Sequence, residues 1–196
     1  MKIFTTATVI LMLFAVSADL YAKSSKERLY RLKQKQQDSC KDNLSNFYRA
    51  LNVYAANNNS KLPAGNNLAG FKKALGSDIL PADFTCKAFR GKKIKKIEDL
   101  SEDTNPYLYF GGFNLKQLLS SAPKTLLMCD KPDSRHFTVL LADGMIMEIN
   151  PKTYKRKISN CRDIVELLNE IYQYPPDILK ALRSKAKAMD KSLQKK

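Results

Sequence analysis

Apolar side chains recur at steps of three and four through residues 24–57, which is the spacing of one face of an α-helix. The pattern predicts a long amino-terminal helix. Its first half is polar around the stripe and is expected to project from the body of the protein, whereas its second half is expected to be buried. Asn57–Ser60 and then Pro63 predict where the helix ends. The stripe consists of Leu29, Leu32, Gln36, Cys40, Leu44, Phe47, Leu51 and Tyr54.

A β hairpin is the clearest signal in the second half of the chain. Phe137–Ala142 and Met145–Ile149 are two apolar runs separated only by Asp143 and Gly144. Asp-Gly is typical of a two-residue turn, because both of its positions need a positive φ. Two earlier apolar runs predict further strands, namely Tyr107–Phe110 and Thr125–Cys129.

Two helices are predicted after the hairpin. Asn160 and Asp163 form an Asp variant of the capping box, which indicates a helix start, and Pro175-Pro176 ends that helix. A second helix begins near Asp177, with an apolar stripe and basic residues on its other faces. Either this helix lies on an anionic membrane or polymer, or it docks on the body through its apolar stripe. The basic residues are Lys180, Arg183, Lys185, Lys187, Lys191 and the terminal lysines.

These elements together predict an α+β fold. We expect a long amino-terminal helix packed on a small antiparallel sheet, with a helical extension at the carboxyl end. The expected boundaries are a signal peptide over residues 1–22, an α+β domain over 23–150 and a basic helical extension over 151–196.

The amino terminus has the order of parts of a secretory signal peptide. Lys2 is followed by an apolar stretch over residues 3–18 and then by a small residue at a cleavage site. We expect cleavage after Ala22 or Ala18, and therefore a periplasmic or secreted protein. The alternative is an uncleaved anchor, although the apolar stretch is shorter than the about 20 residues that a spanning helix needs.

Four cysteines follow the expected cleavage site. An even number in an exported chain predicts two disulfides, for which three pairings are possible. The alternative is a metal site that includes His136, the only histidine. No two cysteines have Cys-x-x-Cys spacing, so the sequence does not predict a zinc site. The cysteines are Cys40, Cys86, Cys129 and Cys161.

The charge balance favours an anionic partner. The formal net charge is +15, from 34 Lys and Arg against 19 Asp and Glu. Nucleic acid, acidic polysaccharide and a lipid headgroup surface are the partner classes that such a charge attracts. One segment carries six basic residues without an acid, and four acidic residues follow it. It is either an anion-binding loop or a solvated loop whose halves neutralise each other. Its basic residues are Lys87, Arg90, Lys92, Lys93, Lys95 and Lys96.

Several segments share their residue types and their order with one bacterial family. Cys40 and the pair Asn43-Leu44 precede an apolar helical stripe that contains Ala and Tyr, and an Asn-rich turn then ends at Pro63. This stretch resembles the one that follows the transmembrane helix in type IV pilins and type II secretion pseudopilins. The resemblance implies their plan, a long helix that leads into an antiparallel sheet.

Two later segments resemble the same family. Phe84 and Cys86 match its Phe-x-Cys-Pro segment, with Lys87 in place of the proline. His136 and Val139–Gly144 are similar to its closing signature of a histidine, an apolar strand and Asp-Gly. The resemblance therefore implies an envelope protein that holds a protein partner through its sheet edge or its long helix.

The amino terminus departs from the family. Prepilins begin with Gly-Phe-Thr-x-x-Glu, which positions peptidase cleavage and subunit docking, and residues 2–6 lack both the glycine and the glutamate. The apolar arm that packs into a filament would be lost with a cleaved signal. We therefore expect a pilin-like domain without the filament anchor.

The sequence shows no constellation typical of catalysis. His136 with Asp143, or Cys129 with His136, would be an acid/base pair or a thiol nucleophile. However, Asp143 is explained by the turn and Cys129 by a disulfide. A serine nucleophile motif, a phosphate loop and a two-histidine zinc motif are absent from the sequence. We predict a non-enzymatic protein with no cofactor and identify no small-molecule substrate.

Two function hypotheses follow. The first is a structural or interaction protein of the bacterial envelope with a pilin-like domain. The second is a binding module for an anionic polymer through the basic loop and tail. Three aromatic residues would then stack on bases or sugars, or would instead belong to the core. They are Tyr107, Tyr109 and Phe110.

Overall fold

The structure of the protein is a computed structural model. It describes residues 39–74, 81–84, 86, 94–132, 137–150 and 153–194. These residues belong to one unit, Ser39–Lys196. The predicted signal peptide, the first half of the predicted long helix and His136 lie outside the described residues.

The sheet is a four-stranded antiparallel meander in the order β1-β2-β3-β4. Every residue of the first three strands is buried, so both faces of this part of the sheet are covered. This burial explains why the strands are continuous apolar runs rather than alternating ones. The α+β fold with an antiparallel sheet is therefore confirmed. The strands are β1 (Tyr107–Tyr109), β2 (Leu126–Asp130), β3 (Thr138–Leu141) and β4 (Ile146–Glu148).

Strands β3 and β4 form the predicted hairpin, but the predicted two-residue turn is wrong. The Leu141 N–H donates to the Met145 carbonyl at 2.9 Å, and the Gly144 N–H donates to the Leu141 carbonyl at 3.0 Å. Three residues therefore lie between the hydrogen-bonded residues Leu141 and Met145, and of these only Gly144 has a positive φ, +83°. A three-residue loop needs one left-handed residue after a type I turn, and the glycine supplies it. Asp143 instead accepts a hydrogen bond from the Met145 N–H at 3.1 Å.

Helix α1 occupies residues 39–56 of the described chain. The stripe faces the core: Leu44, Phe47 and Leu51 are at most 3% exposed. The Phe47 ring meets the rings of Phe84 and Tyr107 edge to face, with centroid distances of 5.0 and 5.5 Å. The buried second half of the predicted helix is present, and its projecting first half stays a prediction.

The described residues form four further α-helices. Helix α4 begins with the predicted capping box: the Asp163 N–H donates to the Asn160 side chain at 3.0 Å, and the Asn160 N–H donates to the Asp163 carboxylate at 3.2 Å. Helix α3 had no counterpart among the sequence predictions and is capped by Asn114. The helices are α2 (Leu68–Ala74), α3 (Leu115–Ser121), α4 (Cys161–Tyr172) and α5 (Pro176–Gln194).

Helix α5 docks on the body through its apolar stripe. Ile178, Leu182, Ala186 and Met189 are buried in the same hydrophobic core as the sheet. The 5% exposed Asp190 also ties α5 to the start of α4, since it accepts hydrogen bonds from the Cys161 N–H at 2.7 Å and from Arg162 Nε at 3.0 Å. Of the two arrangements considered for this helix, the structure shows the docked one.

Candidate functional site

A row of lysines lies on the side of α5 that faces away from the core. Lys180, Lys187 and Lys191 are exposed, and their spacings of seven and four residues are close to whole helical turns. The row therefore extends over about 16 Å at 1.5 Å per residue. We call these three residues the basic stripe.

No carboxylate of the described residues neutralises the basic stripe. None of its three lysines forms an ion pair with a carboxylate in the parts of the chain that the structure describes. The neighbouring Arg183 differs, because its Nε and Nη2 each donate to the Glu166 carboxylate at 2.7 Å. These hydrogen bonds lower the pKa of Glu166 and neutralise the guanidinium locally. The three lysines are therefore available to an external anion.

Lys185 belongs to the predicted basic tail but not to the stripe. Its Nζ lies 4.9 Å from the centroid of the Phe113 ring, in cation–π contact. Burial lowers the pKa of this ammonium group. Lys185 therefore contacts the body of the protein, and its charge is less available than that of the stripe.

The predicted basic loop falls mostly outside the described residues. Lys87, Arg90, Lys92 and Lys93 lie there, so the anion-binding loop stays a prediction. The other two residues of the cluster, Lys95 and Lys96, are described and exposed.

The aromatic residues of β1 and the adjacent Phe110 are part of the core. Tyr107, Tyr109 and Phe110 each have 0% exposure, so their rings have no face open to a base or a sugar. Tyr107 accepts a hydrogen bond from the Asn43 side chain, and the Tyr109 hydroxyl donates to the Pro63 carbonyl. The core interpretation is confirmed, and the stacking interpretation is wrong.

All four cysteines are buried, in two places. The Sγ atoms of Cys40 and Cys86 are 3.0 Å apart and form a small cluster of their own. Cys129 in β2 and Cys161 at the start of α4 both belong to the main core. Burial raises the pKa of the Cys129 thiol, and the nearby Cys161 raises it further.

One buried cluster brings together three groups with donor atoms for a metal. The Sγ atoms of Cys40 and Cys86 and a carboxylate oxygen of Asp130 lie within 4.8 Å of one another. The hydrogen bond with Cys86, burial and the Asp130 charge together raise the pKa of the Cys40 thiol far above its usual range. A thiol that keeps its proton is a poor nucleophile and a poor ligand.

Asp130 is the member of this cluster that sequence reasoning missed. It ends β2, pairs with Tyr107 of β1 and accepts a hydrogen bond from the Thr138 N–H of β3 at 2.7 Å. Its carboxylate reaches Cys40 and Cys86 only through this strand register. No local sequence signal marks such a neighbour.

No family model, curated protein or solved structure matches the chain. In the described ranges, no helix has both the length and the apolar character that crossing a membrane requires. The resemblance to pilins and pseudopilins therefore stays a prediction from the sequence motifs.

Proposed function

We propose that the protein is a non-enzymatic interaction protein of the bacterial envelope, built on a pilin-like domain. One observation carries this proposal: the two separate segments that resemble the pilin family pack against each other. Cys40 and Phe47 of α1 contact Cys86 and Phe84, at 3.0 Å between sulfurs and 5.0 Å between ring centroids.

The arrangement of the elements agrees with this role. The buried stripe of α1 belongs to the same core as the antiparallel meander, which is the packing that the pilin plan requires. The predicted first half of the long helix, residues 24–38, has an apolar stripe of its own that includes Leu29 and Leu32. In the proposed function this stripe is the surface that holds an envelope protein.

In-cell chemical cross-linking tests the interaction. Wild-type protein is expected to give one discrete cross-linked species, and the Leu29→Ser, Leu32→Ser double variant is expected to lose it, because an apolar contact would be removed. The matched control is Val53→Ser, in the described part of α1 and 51% exposed, which should keep the species. An unchanged species in the double variant, or its loss in the control, would contradict the proposal.

A second candidate function has its own observation in the basic stripe. Three exposed lysines on one helix face, without a carboxylate partner among the described residues, suit the regularly spaced negative charges of a nucleic acid or an acidic polysaccharide. The net charge of the whole chain, +15, adds long-range attraction to such a polymer.

Retention on heparin and on duplex DNA at increasing salt tests this candidate. The triple variant Lys180→Gln, Lys187→Gln, Lys191→Gln should elute at lower salt than wild type. The slope of its log affinity against log salt should be smaller in magnitude by about 2–3, since each phosphate contact contributes roughly one unit to that slope. The control neutralises three exposed lysines of α2 and α3, Lys72, Lys73 and Lys116. It has the same net charge and should remain close to wild type. Equal shifts in both variants would show that net charge acts without the stripe.

A further inference from the structure

The close approach of Cys40 and Cys86 joins two segments that are far apart in the chain. Cys40 lies in the first described turn of α1, and Cys86 follows the 3₁₀ helix Pro81–Phe84. Their Sγ atoms are 3.0 Å apart, at residue exposures of 0% and 8%. This is closer than the about 3.5–4.0 Å at which even two carbon atoms make their best contact. Two non-bonded sulfur atoms are not expected to stay at this distance.

The number of donors, and not the sulfur–sulfur distance alone, favours a covalent bridge over a metal site. A disulfide requires a sulfur–sulfur distance of about 2.0 Å, so the two atoms need to approach by about 1 Å, which small side-chain rotations supply. A tetrahedral zinc with Zn–S bonds of about 2.3 Å holds its sulfurs about 3.8 Å apart, which is a displacement of similar size in the opposite direction. The described donors also number three, with Asp130 as the third, whereas a structural zinc site uses four.

The other two cysteines lie elsewhere. Cys129 and Cys161 are fully buried in the main core, whereas Cys40 and Cys86 form a separate cluster. The structure therefore separates Cys40 and Cys86 from the other two cysteines.

We propose that Cys40 and Cys86 form a disulfide that ties α1 to the segment before β1. The bond forms with the loss of two protons and two electrons from the two thiols. The two protons and two electrons pass to the disulfide of a thiol-oxidising protein, which is reduced to a dithiol. The transfer proceeds by exchange through a mixed disulfide. Of the three possible pairings, this one leaves Cys129 with Cys161.

The bridge closes a loop between residues 46 positions apart. It holds the described start of α1 in place, where the Asn43 side chain donates a hydrogen bond to the buried Tyr107 hydroxyl at 3.1 Å. The inference goes beyond the proposed function, because a bridge at this place is compatible with either a protein partner or an anionic polymer.

Peptide mapping of the exported, full-length protein tests the bridge. Thiols are blocked by alkylation at the moment of lysis, and the protein is digested with trypsin without reduction. Cleavage after Lys and Arg places the four cysteines on four different peptides, so every pairing gives a distinct mass. We expect residues 36–41 linked to residues 74–87, and separation of the two peptides after reduction.

Three outcomes would overturn the proposal. One is alkylation of both Cys40 and Cys86 in the exported protein. Another is a link from either of them to Cys129 or Cys161. The last is a native mass that includes zinc, with both thiols alkylated once the protein is denatured.

A variant pair makes the mapping specific. Cys86→Ala should leave Cys40 open to alkylation after denaturation and should lower the melting temperature by on the order of 10 °C, as loss of a bridge across a loop of this length does. Cys161→Ala is the matched control and should keep the link between residues 36–41 and 74–87. Loss of that link in the control would contradict the pairing. Wild-type mapping decides the case even where a variant does not accumulate.

Discussion

Replacing Phe47 by Ala is expected to lower the free energy of unfolding by about 3–5 kcal/mol, the range measured for loss of a buried aromatic ring. Phe47 is 1% exposed, and its ring contacts Phe84 of the 3₁₀ helix and Tyr107 of β1 edge to face. The substitution therefore removes the contact that joins three separate elements, and it leaves a cavity that the neighbouring aromatic rings fill poorly. Equilibrium unfolding in urea measures the loss.

Val53→Ala is the matched control for Phe47→Ala. Val53 lies on the same helix but is 51% exposed, so its truncation should change the free energy of unfolding by no more than about 0.5 kcal/mol. Comparable losses in the two variants would mean that α1 contributes through its helical backbone and not through this buried face.

Gly111→Ala is expected to cost about 3 kcal/mol, at the upper end of overpacking effects. A Cβ at this position would lie 2.5 Å from the Pro63 carbonyl oxygen and would also contact the Gly65 carbonyl oxygen. These two oxygens are main-chain atoms, which cannot rotate away as the end of a side chain does, and a third close atom is Cε1 of the buried Tyr109 ring at 2.5 Å. The loop that contains them would have to move from β1, and thermal unfolding should record the loss.

The adjacent glycine separates steric clash from backbone strain. Gly112 has a φ of +80°, and the nearest atom to a Cβ there would be Lys185 Nζ at 3.6 Å, an ordinary contact. Gly112→Ala should therefore cost only the about 1–2 kcal/mol of a left-handed non-glycine residue. If Gly112→Ala proved as damaging as Gly111→Ala, close approach of the loop would not be the reason that Gly111 is needed.

Local signals in the sequence predicted the parts of the fold that depend on neighbouring residues. The capping box of Asn160 and Asp163 acts within one helical turn, and the hairpin around Gly144 is formed by adjacent strands. The turn itself was mispredicted because Asp-Gly fits both a two-residue loop and the end of a three-residue loop. Helix α3 was missed because its seven residues are too few for helical periodicity to stand out.

The candidate sites differ in how far they could be predicted from the sequence, because they depend to different degrees on contacts between residues far apart in the chain. All lysines of the basic stripe were visible in the sequence, because an amphipathic helix shows its outer face directly. The sequence did not show that Lys185 contacts the body of the protein. Its partner Phe113 lies 72 positions away in the chain (185 minus 113), and the two side chains meet only in the folded protein. The proximity of Asp130 to Cys40 and Cys86 likewise required the strand register.

Docking of α5 also limits how this helix can meet a lipid bilayer. An interfacial amphipathic helix binds by placing its apolar face among the acyl chains. In α5 that face is already covered, since Leu182 and Ala186 are 0% exposed. What α5 exposes on its opposite side is the row of ammonium groups of the basic stripe. The helix is therefore suited to headgroup contact that moderate salt reverses, and not to insertion below the headgroups.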